Sequence, residues 1–276
     1  MHAFTVRNLL VRGMVAGVLA GLLAFALAYL AGEPSVRDSI AQEESRSAPA
    51  HQHGAAADPV AAGEEEEEEE LVSRPVQSTF GLATGVLVYG VALGGIASLV
   101  FAVSLGRIGR FGPRATSALV AGAAFTTVYL VPFLKYPATP PAVGNPDTIG
   151  RRTTLFFLMI LLSVLLAVIA VIAGRRLAPR LGNWNASLAA GAGYVAVVAV
   201  ACLVLPANAD AVPASFPAAL LWEFRLASLG VQALLWTAFG LIFGELAERM
   251  LRPRAVAGAA VVPPGAPVGE PRAAGQ

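Results

Sequence analysis

The sequence predicts an all-α fold: a polytopic membrane helical bundle of six transmembrane helices arranged as three hairpins. Three observations point there. Six apolar stretches, near 9–31, 80–105, 114–134, 153–174, 186–205 and 225–247, each match the ~20 residues that a helix needs to cross a bilayer. Charged residues make up only 13% of the chain and apolar residues 56%, whereas about a quarter charged is usual for a soluble domain. The arginines fall in clusters between and beside the stretches rather than within them.

The first stretch follows Arg7 and Arg12 and ends near Ala31. Its apolar run, Met14 to Ala31, is longer than the h-region of a signal peptide, so it reads as an uncleaved helix. Residues 1–31 therefore form the N-terminus and helix 1. Segment 32–79 contains His51-Gln52-His53 and the unbroken run Glu64 to Glu70. Adjacent like charges repel and little apolar surface is on offer, so the segment reads as a disordered external acidic/His loop. Residues 80–250 carry helices 2–6 as one membrane domain. Residues 251–276 are rich in Pro, Gly and Ala and read as a disordered cytoplasmic tail.

Charge by loop sets the orientation. Arg7 and Arg12, then Arg107, Arg110 and Arg114, then Arg175, Arg176 and Arg180, then Arg249, Arg252 and Arg254 all fall on one side if six helices span. The positive-inside rule places that side, and both termini, in the cytoplasm. The chain is then a multi-pass protein of the cell membrane, in contact with membrane lipids. Arg151 and Arg152 fall on the outer side and break the pattern. They read either as a functional pair or as side chains that snorkel to lipid phosphates. The second and third hairpins look alike at their outer turns, with Leu130-Val131-Pro132 in one and Val204-Leu205-Pro206 in the other. Each of those helices is expected to end at its proline, which cannot continue the hydrogen-bond ladder.

Several residues could carry chemistry. Gly13, Gly17 and Gly21 in helix 1, Gly81, Gly85, Gly90 and Gly94 in helix 2, and Gly240 and Gly244 in helix 6 form grooves for close backbone approach. They fit packing within the chain or a face for a partner, including a homo-oligomer. His51 and His53 suit borderline divalent metals, and the glutamates beside them concentrate cations by charge. The outer ends of the later hairpins hold Tyr129, Pro132, Lys135 and Tyr136 on one and Trp222, Glu223, Phe224 and Arg225 on the other. Glu223 is expected at a helix start near the membrane boundary, where a carboxylate acts more strongly on an ion than in bulk water. Arg225 would orient it, and Arg151 or Arg152 is a further candidate partner. Gln232 lies deeper and must find a hydrogen bond. The single cysteine, Cys202, lies in an apolar stretch and reads as a packing residue. There is no HExxH, no G-x-S-x-G and no Walker loop. No cofactor is implied, and the net charge of +1 gives no reason to expect nucleic acid.

The chain resembles the CbtA-type cobalt transporter subunits of bacteria over roughly residues 8–250. The features that carry the resemblance are the glycine-rich first helix and the external loop with histidines. With them come Tyr129-Leu130-Val131-Pro132 followed by Tyr136-Pro137-Ala138-Thr139-Pro140-Pro141, and Pro217 leading to Glu223-Phe224-Arg225 and Leu226-Ala227-Ser228-Leu229. The resemblance implies cobalt uptake linked to cobalamin supply and a small single-helix partner subunit bearing histidines. It implies no enzyme activity. Co²⁺ would be cargo, with His51, His53 and Glu223 as its metal-binding residues. The transport path would run by Tyr129, Pro132, Tyr136, Arg225 and Gln232. In the same family many members carry more histidines in the first loop, and many carry a histidine near the position held here by Tyr129. Two other classes stay open on residues alone: a non-transporting scaffold that assembles partners through its glycine faces, and a membrane-embedded lipid enzyme.

Overall fold

A computed structural model describes residues 3–47, 73, 76–141, 143–144, 146–207, 212–213 and 215–252. Among these residues all regular structure is helical. The helices are α1 (Ala3–Leu27), α2 (Glu33–Ser47), α3 (Leu82–Ser104), α4 (Pro113–Ala124), α5 (Val131–Lys135), α6 (Ile149–Val204) and α7 (Ala218–Leu251). Three π-helical segments interleave with them, at Ala28–Gly32, Gln77–Gly81 and Phe125–Leu130. Among the described residues five helical stretches, against the six expected, are long and apolar enough to cross a membrane.

The first π-helical segment joins α1 to α2 without a break, so the helix runs on to Ser47. The stretch 33–47 was expected to be loop and is helical instead. Its Glu, Gln, Ala and Arg residues are good helix formers, Glu33 and Arg37 pair at i,i+4 spacing, and Ser35 and Ser39 are buried. A similar device carries the chain past Pro132, which was expected to end its helix. The π-helical segment ends at Leu130 and α5 continues from Val131 to Lys135. Proline has no N–H and its ring crowds the carbonyl four residues back. A wider turn just ahead relieves both. Pro34 stands in the same relation to Gly32 as Pro132 does to Leu130.

The 56-residue α6 is not one straight rod. Gly182 sits at φ 75°, ψ 160°, a left-handed conformation that glycine adopts without penalty. The two arms fold back on each other there. The Ser163 and Tyr194 hydroxyls are 2.8 Å apart although 31 residues separate them. A straight helix would hold them roughly 45 Å apart at ~1.5 Å rise per residue. Gly174 meets Ala190 across the same seam. Arg175, Arg176 and Arg180 therefore lie on a helical extension and not in a loop. The helix carrying Glu223 also starts earlier than expected, at Ala218 rather than near 225, because Pro217 supplies an extended N-cap.

The bundle proper is α1 packed on α3 and α7, with α4 packed on α7. Glycine makes the α1–α3 contact possible. A Cβ at Gly17 would land on the Gly90 carbonyl oxygen, and one at Gly94 on the Gly13 carbonyl oxygen. On the other seam, Gly240 faces Ala121 and Gly244 faces Ser117 and Arg114. These glycine faces are thus occupied within the chain. Gly81 has only a backbone oxygen of its own turn in reach, and Gly85 has nothing within 4 Å. An aromatic column fills the centre: Phe101 meets Phe243 edge-on at 5.0 Å, and Phe239 stacks on Phe243 at 5.4 Å. Lipid is as apolar as such side chains, so close packing and not water release holds the seam.

Arginines gather at one end. Arg12 donates to the Leu246 carbonyl at 3.0 Å, and Glu245 bridges Arg114 and Arg249. We expect Glu245→Gln to weaken this clasp only slightly, since the charges are well exposed. Thermal unfolding in detergent at low and high salt checks it: the loss should shrink as salt screens the pairs.

Candidate functional site

The opposite end of the bundle holds the polar features. A cavity of about 350 Å³ opens there between the α1–α2 junction, the start of α3, the end of the Phe125–Leu130 segment and α7. Glu33, Tyr129, Ser228 and Gln232 supply its polar wall, and Leu82, Val86 and Val231 much of its apolar one.

Tyr129 is held by ring stacking, with Phe125 at 6.2 Å on one side and Phe133 at 5.4 Å on the other. The π-helical turn sets that register. Its hydroxyl is buried and has no hydrogen-bond partner among the described residues. Gln232 sits on α7 with its side chain in reach of the Tyr89 hydroxyl, while its carbonyl oxygen Oε1 is buried and likewise unpartnered among the described residues. Buried polar atoms in native proteins nearly always have partners, so both atoms stand out beside the cavity.

Glu33 is the charged member, with only 6% of its side chain exposed. Its Oε1 lies 3.8 Å from Nε of Arg37, whose side chain is 60% exposed. Sequence reasoning missed it, because it follows directly on the first apolar stretch and reads as the first residue of a loop. The available signal was Gly32-Glu33-Pro34, a carboxylate just inside the boundary and next to a proline.

The residues expected to form the path are only partly brought together. Tyr129 and Gln232 share the cavity. Arg225 is half-buried at its edge, where Nε donates to the carbonyl of Ala138 at 3.2 Å, and Ala138 itself lines the cavity. Tyr136 lies outside it and donates to the Pro206 carbonyl at 2.9 Å, tying the end of α5 to the end of α6. Burial, and after it the neighbouring Cys202 thiol, pushes the Tyr136 hydroxyl up from its ordinary value, so it remains a donor at neutral pH. Pro132 is fully buried and does not line the cavity. Glu223 is exposed on the second turn of α7 and forms no ion pair or hydrogen bond among the described residues. Arg152 lies against Gly144. His51, His53 and the Glu64–Glu70 run fall outside the described residues. Among the described residues no three His, Cys, Asp or Glu side chains gather into a ready metal site.

This arrangement is a cavity with a mainly apolar wall. It places one carboxyl side chain, Glu33, with Tyr129, Ser228 and Gln232 around a pocket between helix ends.

No curated protein and no solved structure matches the chain. The family model for CbtA, described as a probable cobalt transporter subunit, matches residues 6–248 and so takes in all the helices just described but for the outermost three residues of α1 and of α7. The matched region includes both the arginine-rich end and the polar cavity. With most of its length covered, this membrane-type helical chain belongs to the CbtA family, a family of probable cobalt transporter subunits and not of enzymes.

Proposed function

We propose that the chain is the membrane-embedded subunit of a divalent-metal uptake system, that Co²⁺ is its cargo, and that the uptake serves cobalamin supply. The observation that carries this reading is the cavity whose mainly apolar wall brings together the polar side chains Glu33, Tyr129, Ser228 and Gln232. Buried polar groups in a membrane are costly and mark ion or substrate pathways. The acidic loop with His51 and His53 collects the ion outside by charge, and Glu223 and Arg225 stand at the outer approach. A small single-helix, histidine-bearing subunit completes the system. Cells expressing the chain with such a partner should accumulate Co²⁺ from low external concentrations above cells with an empty vector. Equal accumulation would sink the reading.

The same proposal gives six spans with both termini in the cytoplasm of a plasma-membrane protein. The fold-back at Gly182 supports two spans within α6. The contacts of Arg12, Arg114 and Arg249 support a common side for three of the arginine clusters. Reporter fusions after residue 60 and at the C-terminus should then report opposite sides. Finding them on one side would leave an odd number of spans between those points impossible and overturn the topology.

A further inference from the structure

We infer that the tip of the α6 hairpin, around Gly182, is a binding surface for the anionic phospholipid headgroups of the surrounding membrane. Arg175, Arg176 and Arg180 are its charges and Trp184 is its anchor. This rests on the reading of α6 as two spans and adds to it a role for the turn between them.

The charge at the tip is uncompensated. No Asp or Glu occurs anywhere from Thr148 to Ala209. Arg175, Arg176 and Arg180 are exposed and form no ion pair or hydrogen bond among the described residues. The arginines at the end of the bundle differ. Arg114 and Arg249 share Glu245, Arg252 pairs with Glu248, and Arg12 donates to the Leu246 carbonyl. Nor is the tip where α6 meets the rest of the chain. That contact runs chiefly through α5 and the Phe125–Leu130 segment, and the bond from Tyr136 to the Pro206 carbonyl places it at the end of the arms away from Gly182.

The level of these residues is the second observation. The first arm carries no charge from Thr153 to Gly174, about 33 Å at ~1.5 Å rise per residue, against a hydrocarbon core of about 30 Å. Arg175 and Arg176 therefore emerge at the headgroups. Gly174 meets Ala190 across the seam, and Arg180 and Trp184 each lie six residues beyond that contact on their own arms. Both thus stand about 9 Å further out by the same rise.

What surrounds the charges selects the partner. Trp184 is 76% exposed and Leu181 45% exposed. An indole ring with its N–H settles at headgroup level, and arginine stems lie along apolar surface while their heads reach phosphate. Charge and apolar area together hold a lipid where either signal alone holds it weakly. A free phosphate matches the arginines but leaves Trp184 and Leu181 without a partner. An acidic protein surface would have to displace the lipid in which the two arms already stand.

The test is native mass spectrometry of the purified full-length chain in detergent, titrated with phosphatidylglycerol or with phosphatidylcholine. Each arginine near an anionic surface contributes about fivefold, so wild type should prefer phosphatidylglycerol by about tenfold or more. Arg175→Gln, Arg176→Gln and Arg180→Gln together should abolish that preference. The same three positions changed to lysine should keep most of it, which shows that charge and not a folding defect is read. Trp184→Ala should weaken both lipids a few-fold, and Arg151→Gln, at the other end of the arm, should change neither. Millimolar inorganic phosphate should leave the lipid bound; full displacement would assign the tip to a free anion and overturn the inference. Equal affinity of wild type for the two lipids overturns it as well and leaves the arginines to an acidic protein surface. So does a preference that survives the triple glutamine change. The topology is read separately, by labelling Asn185→Cys in a Cys202→Ala chain with a membrane-impermeant thiol reagent. Labelling from outside intact cells refutes the six-span reading even where the lipid preference stands. A tip labelled only in inverted vesicles, in a chain without the preference, refutes this inference alone.

Discussion

Replacing Gly94 with leucine should leave little folded protein in the membrane. A side chain at this position has to pass through the Gly13 carbonyl oxygen, and the Cα of Gly17 lies just 3.1 Å from its Cβ. Neither neighbour can give way by rotating a side chain, since both are backbone. Inserting even a few carbons into a packed core costs about 1–3 kcal/mol, and a backbone collision at a helix crossing lies at or beyond the upper end of that range. The α1–α3 seam is the largest contact of the bundle, and α7 rests on α1 in turn, so its loss propagates. The measurement is the monodisperse fraction after detergent extraction, with unfolding temperature where enough protein survives. Gly85→Ala serves as the control, because nothing lies within 4 Å of the added Cβ. If Gly94→Leu extracts and melts like wild type, the α1–α3 crossing described above is wrong.

The membrane helices were legible because apolar length is a robust signal and arginine marks the ends. The glycine spacing announced a close crossing, but it left two readings open, and only the partners of Gly13, Gly17, Gly90 and Gly94 show that the crossing lies within the chain. Helix ends were harder. Pro132 and Pro34 each look like stop signals, yet a π-helical turn ahead of each lets the helix pass. No local pattern in Ala28–Gly32 or Phe125–Leu130 distinguishes them from ordinary helix, because the widening answers to tertiary packing. The extension of α1 into α2 was hidden for the same reason, and with it the burial of Glu33.

The candidate site shows the same division. Tyr129 and Gln232 could be singled out from sequence as polar groups in apolar surroundings, and they do share one cavity. Glu223 drew notice as a carboxylate near the boundary, but a helix starting at Ala218 puts it on an exposed turn. Side-chain direction on a helix depends on register, and register could not be read through Pro213 and Pro217. The second large effect follows. Glu33→Gln should lower Co²⁺ uptake by cells at least tenfold at matched protein levels. Glu33 is the one carboxyl residue lining the cavity; a hydrogen bond to a charged group is worth about 1.5–3 kcal/mol, and each 1.4 kcal/mol is about tenfold in affinity. Glu223→Gln is expected to reduce uptake only a few-fold, because water screens an exposed carboxylate. The double change His51→Ala with His53→Ala should act mainly at low external metal, where collection by the loop limits entry. Uptake rates of the three variants over a range of external Co²⁺ check this order. A larger loss in Glu223→Gln than in Glu33→Gln would move the path to the outside of α7.

The most direct test of transport through this chain is Co²⁺ entry into liposomes reconstituted with the purified protein and its single-helix partner, read by a trapped dye that Co²⁺ quenches. Wild-type protein should quench the dye at a rate that saturates with external Co²⁺, and Glu33→Gln at equal protein density should fall close to the rate of empty liposomes. Entry no faster than in empty liposomes for wild type, or equal entry for wild type and Glu33→Gln, would contradict the account.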